Sequence, residues 1–148
     1  MIPLTDILKM WEKDCVIDEV NLDNASLDGA KLHAKYLELH SVYKLQARRK
    51  DMEFKVLLKN KYLWFAGKLT RDEIDELGWG YDPLNGLKVL KGDMDKFLEA
   101  DRDIQEMQAQ IEYNKVVTET LDEIIGNIRW RSSTIKNAIE WRKFTSGV

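Results

Sequence analysis

The chain has 148 residues, 33% of them charged and 44% hydrophobic, with only two prolines and eight glycines. That balance fits one helical domain or two small halves and excludes a disordered chain. The formal charge of −3 argues on its face against a nucleic-acid partner, and the single Cys15 excludes an intrachain disulfide.

No run of ~18 apolar residues is present to span a membrane. The first residues, M-I-P-L-T-D-I-L-K-M-W-E, lack the basic-then-apolar layout of a secretory signal, so a cytoplasmic location is expected. A first helix is predicted from Pro3 to Asp14, with Leu4, Ile7, Leu8 and Trp11 at helical spacing. Pro3 sits where a missing N–H costs little. A short connection, V-I-D-E-V-N-L-D-N, follows.

A long helix is then predicted from Asn24 or Ser26 to Ala66, free of proline and stopped by Gly67. Forty residues at ~1.5 Å each span ~60 Å. Such a helix needs a partner along its length, either another part of the chain or another copy. Its last stretch, F-K-V-L-L-K-N-K-Y-L-W-F-A-G-K at 54–68, threads Lys55, Lys59, Lys61 and Lys68 through apolar and aromatic residues with no acid among them.

Thr70 and Glu73 have the spacing of a capping box, and Gly78 closes the short helix they open. Asp82-Pro83 and Asn85-Gly86 are turn chemistry, so W-G-Y-D-P-L-N-G is the natural break between halves. The region from Asp93 to Phe144 is proline-free and reads as one helix, or as two because Gly126 lies inside it. Val117, Leu121, Ile125, Ile128, Ser132, Ile135, Ile139 and Arg142 recur at spacings of four and three along it, alternating from Leu121 onward. That is an a/d heptad seam. It fits either an intramolecular core stripe or an oligomerisation contact; the overlong helix favours self-assembly. The expected architecture is all-α: a basic N-terminal helical region (1–68), a short acidic helix and turn (69–92), and a C-terminal helical oligomerisation region (93–148).

Charge is distributed unevenly along these segments. Residues 1–28 carry two basic and seven acidic side chains, a net of −5; residues 29–69 carry ten and three, a net of +7. Residues 70–127 carry six and fifteen, a net of −9, and residues 128–148 five and one, a net of +4. The basic block holds the candidate site: Arg48, Arg49, Lys55, Lys59, Lys61, Trp64 and Lys68, with Lys50, Tyr62 and Phe65 interleaved. Cations that track phosphates beside aromatic faces for unpaired bases are what single-stranded nucleic acid requires. The competing reading is that Trp64 and Phe65 are core, with lysine stems lying over them.

Catalytic constellations are weak. His33 and His40 lie seven apart, not the three or four of a helical zinc site. Asp93 and Asp95 lack the glycine and terminal glutamate of a calcium loop. Gly78-Trp79-Gly80 is followed by no phosphate-loop lysine. Ser132-Ser133 has no nearby histidine. A non-enzyme without cofactor or metal is expected.

K-D-C-V-I-D near residue 13, A-K-Y-L-E-L-H-S at 34–41, V-L-L-K-N-K-Y at 56–62, L-E-A-D-R-D-I at 98–104 and I-K-N-A-I-E-W-R-K-F-T-S-G at 135–147, taken in order, resemble the UvsY family of phage recombination mediators. The resemblance implies sequence-independent binding of single-stranded DNA and a homo-oligomeric ring, hexameric or heptameric, held by the C-terminal helix. It also implies loading of a RecA-like phage recombinase onto strands coated by the phage single-strand-binding protein, in the host cell cytoplasm. The family's Lys-Ala-Arg-Leu motif falls on Lys59, Asn60, Lys61 and Tyr62, so both cationic positions persist. One is Lys instead of Arg, which keeps the charge and loses the bidentate fork. The alternative is a structural coiled-coil assembly protein whose lysines pair with the acidic middle.

Overall fold

The computed structural model describes residues 1–147. Among the described residues, five helices make up the regular structure: α1 (Leu4–Asp14), α2 (Leu22–Phe65), α3 (Arg71–Leu77), α4 (Met94–Ala100) and α5 (Arg102–Thr145). No strand occurs among the described residues. The chain packs as two compact units, one of residues 1–45 with 114–148 and one of residues 46–113. These cut across the three sequence segments, because α2 and α5, of 44 residues each, contribute to both.

In the first unit, α1, the start of α2 and the end of α5 share a core. Ile7, Tyr36, Tyr43, Val117, Leu121, Ile124, Ile125 and Ile128 are buried together, and Leu22, Ala25 and Ile135 form a smaller cluster. The C-terminal carbonyls of α1 have no helical partners of their own. The buried Arg131 guanidinium answers them, donating to the carbonyls of Asp14 (3.3 Å), Cys15 (3.2 Å) and Val16 (3.2 Å). Nearby, Asp14 accepts from Lys35 at 2.6 Å and from the Tyr36 hydroxyl at 2.8 Å. Burial alone would raise the Asp14 carboxyl, but those two hydrogen bonds, with the charges of Lys35 and Arg131, together hold it below the usual carboxylate range. Tyr36 is pushed upward, first by burial and then by its bond to Asp14.

The seam expected to join subunits is consumed here. Val117, Leu121, Ile125, Ile128 and Ile135 are buried within this one chain, and Ile139 packs on the Leu22 cluster. Arg142, at the end of the repeat, donates to the Glu19 carbonyl. The periodicity reports an apolar face, and α1 and α2 of the same chain cover it.

In the second unit, Met94, Leu98 and Ile104 are buried against Phe54, Leu57, Leu58, Phe65 and Val89. The Thr70 capping box forms, with Glu73 N–H donating to Oγ1 at 3.3 Å and Thr70 N–H donating to the Glu73 carboxylate at 2.7 Å. Gly78 closes α3 in the left-handed conformation (φ 72°). The region after residue 93 is two helices, but the break is not at Gly126, which lies inside α5. It is at Asp101, whose extended backbone (φ −69°, ψ 130°) and side chain, accepting from Ile104 N–H at 3.1 Å, cap α5.

Candidate nucleic-acid interface

Seven residues apart is about 20° short of two full helical turns, and eleven is about 20° past three. Arg48, Lys55 and Lys59 therefore share one stripe of α2, and all three are exposed. Lys55 is paired to Asp51 at 3.4 Å across one turn. Arg49, a quarter-turn away, is paired to Glu53 at 3.2 Å, and Lys50 contacts the other oxygen of the same carboxylate at 3.2 Å. Such exposed pairs hold little energy and exchange readily for a stronger anion. Arg48 and Lys59 form no ion pair with any described residue. Neither does Lys68, which lies just beyond α2 with its backbone N–H on the Leu63 carbonyl at 2.9 Å.

Lys61 is in a different place altogether. Two residues from Lys59 is about 200° around a helix, so both cannot face one strand of DNA. Lys61 is 3% exposed. Its ammonium sits 3.1 Å from Asp101 and 2.8 Å from Asp103, and 4.6 Å and 4.2 Å from the ring centroids of Trp64 and Trp79. Lys61, expected among the DNA contacts, is thus held inside the second unit by that unit's own acids and rings. The neutralising acids are absent from 54–71 and arrive from the α4–α5 junction, forty residues on.

Trp64 is half-buried, its indole N–H donating to the Gly80 carbonyl at 2.8 Å. Trp79 and Phe65 lie 5.0 Å and 5.1 Å from it, centroid to centroid. The ring thus belongs to an aromatic cluster and also lines an open cavity, with Phe65 and Tyr81.

The chain matches, over residues 10–148, the family model described as recombination, repair and ssDNA binding protein UvsY. It belongs to the UvsY family. The recombination protein uvsY of Enterobacteria phage T4 is 25% identical over 144 residues, covering 97% of this chain and 98% of that one. Crystal structures of the bacteriophage T4 recombination mediator protein UvsY share the all-α fold. Lattice type II gives a TM-score of 0.83 at 24% identity, covering 99% of both chains. Lattice type IV gives 0.83 at 23%, covering 97% of this chain and 99% of the other.

Within the stretch that matches the UvsY Lys-Ala-Arg-Leu motif, the exposed side chains here are Lys59 and Tyr62, while Lys61 faces inward. Sequence reasoning missed Trp79, Asp101 and Asp103 as the partners of Lys61; only the 200° rule applied to Lys-x-Lys signals that a partner is needed. It also missed an aromatic face on α5. Trp130, Trp141 and Phe144 are 73%, 67% and 75% exposed, and Trp141 stacks on Phe144 at 5.7 Å. Trp130 and Trp141 are eleven residues apart, hence on one side of the helix, and each lies two residues past a seam isoleucine, hence opposite the buried face. No helix among the described residues is long and apolar enough to cross a membrane.

Proposed function

We propose that this UvsY-family chain is a recombination mediator that binds single-stranded DNA without sequence preference, as a homo-oligomer, through the α2 stripe. The observation that carries the reading is the alignment of Arg48, Lys55 and Lys59 on one exposed face, with Arg48 and Lys59 unpaired and Tyr62 exposed beside them. Point charges in register with a flexible backbone release counterions whatever the base sequence. One stripe of three cations binds weakly. Repetition in a closed assembly multiplies it on a continuous strand, which is how a net-acidic chain holds DNA.

The surface best suited to joining copies is the exposed Trp130, Trp141 and Phe144 face, since the heptad seam is occupied by the chain's own helices. Aromatic side chains of that size are enriched at interfaces. A ring built through it would present the stripe repeatedly, and could hold a strand taken from a single-strand-binding protein ready for a RecA-like recombinase. The test is anisotropy of labelled oligo-dT at two salt concentrations, with mass measured by light scattering. The expected result is salt-sensitive binding by an oligomer, with a slope that falls in Arg48→Ala and Lys59→Ala. No binding at low salt would leave only a structural assembly protein.

A further inference from the structure

The second unit contains a cavity of about 500 Å³ between the end of α2, α3 and the turn that follows it. We infer that it is a pocket for one unpaired nucleobase of the bound strand, an inference that rests on the single-strand reading above. Three aromatic rings line it, Trp64, Phe65 and Tyr81, with Ile74, Leu84 and Leu87, and polar atoms share the lining. Three cations stand at or next to it. Lys88 lines it, Arg71 lies over the Tyr81 ring at 5.0 Å, and Lys68 follows Gly67 of the wall. None of the three forms an ion pair with a described residue.

Three acids nearby have hydrogen-bond partners within the unit, one of them, Asp82, in the cavity lining itself. The Asp75 carboxylate accepts from the Tyr81 hydroxyl, Glu73 caps its own helix at 2.7 Å, and Asp82 accepts from Gly86 N–H at 2.9 Å. The wall geometry is fixed by residues with left-handed backbone, Gly67 (φ 69°), Asn85 (φ 52°) and Gly86 (φ 83°). Trp64 is held by Lys61 and by the Gly80 carbonyl. A nucleotide is a planar aromatic group with an anion one sugar away. It fits aromatic walls with unpaired cations at the rim better than an aliphatic protein side chain, which has no use for the cations.

The test compares oligo-dT with an abasic strand of equal length and charge. Wild-type protein should favour oligo-dT by roughly 5- to 150-fold, the range for loss of one stacked base. Tyr81→Ala should erase most of that preference and leave the salt slope unchanged, whereas Lys88→Gln should lower the slope by about 0.7 and keep the preference. On the unaltered protein, a 5-bromouracil strand irradiated at the bromouracil band should crosslink to peptides containing Trp64 or Tyr81. Equal affinity for the two strands, or crosslinks confined to other peptides, would overturn the pocket and leave it to an apolar anchor of a protein. Binding to neither strand would instead remove the single-strand reading, and the pocket with it.

Discussion

Replacing Lys61 with Met keeps most of the side-chain volume and removes the ammonium held between Asp101, Asp103, Trp64 and Trp79. Removing one partner of a buried ion pair costs ~3–5 kcal/mol because the other charge stays behind unpaired. Two features pull the value toward the lower end. Asp103 is 49% exposed and recovers hydration, and Asp101, though only 10% exposed, keeps its hydrogen bond from Ile104. Two lost cation–π contacts add back ~1 kcal/mol or more. A loss of ~3 kcal/mol corresponds to a fall in Tm of roughly 6–12 °C for a chain of this size. The assay is thermal unfolding followed by circular dichroism and tryptophan emission, run beside Lys59→Met. That variant removes an exposed cation and should stay within about 0.5 kcal/mol of wild type. For DNA the order reverses: Lys59→Met lowers the salt slope by about 0.7 per contact engaged, and Lys61→Met leaves the slope unchanged. A Lys61→Met protein with wild-type Tm and a reduced slope would show that this ammonium meets phosphate, and the buried bridge would be wrong.

Ile128→Asp buries a charge in the core of the first unit and should cost several kcal/mol, seen as loss of the cooperative unfolding transition; a folded variant that merely dissociates would return the seam to the subunit interface. Trp130→Ser with Trp141→Ser should leave Tm nearly unchanged while lowering the mass measured by light scattering and weakening DNA binding. Asp14 has a folded-state carboxyl below its ordinary value, so its contribution is present above pH ~4 and is lost as pH falls through the lowered value. Asp14→Asn should accordingly lower Tm at neutral pH, with the gap to wild type closing below pH ~4.

Much of the local structure was legible because its causes are local. Pro3 before α1, the Thr70–Glu73 box and the Gly78 stop each depend on residues within one turn. The break at Asp101 was not, although the residue is a good N-cap. Nothing near it interrupts helix propensity, whereas Gly126 does and yet stays helical, held between Ile125 and Ile128 of the core. Helix propensity costs ~1 kcal/mol for a glycine, and packing on both sides exceeds that.

The site was half legible for a related reason. A helical repeat says which residues share a face, but not what covers the face. Applied to 117–139, it found the stripe and could not tell that α1 and α2 fill it. Applied to 48–61, the same rule puts Arg48, Lys55 and Lys59 on one stripe and Lys61 on another, but it does not say that the second stripe faces acids from the α4–α5 junction. The two outcomes are linked. With the seam facing inward, the side of α5 opposite to it carries Trp130 and Trp141; with Lys61 facing inward, the cations aligned on the exposed face of α2 are Arg48, Lys55 and Lys59. In the proposed function, assembly and DNA contact therefore fall to residues in different units. Pairing Trp130→Ser/Trp141→Ser with Lys59→Ala should therefore separate them: the tryptophan variant keeps its per-chain affinity for a strand short enough to touch one copy and loses only the gain on long strands, whereas Lys59→Ala weakens both. Equal losses on short and long strands in the tryptophan variant would mean that the aromatic face itself binds DNA.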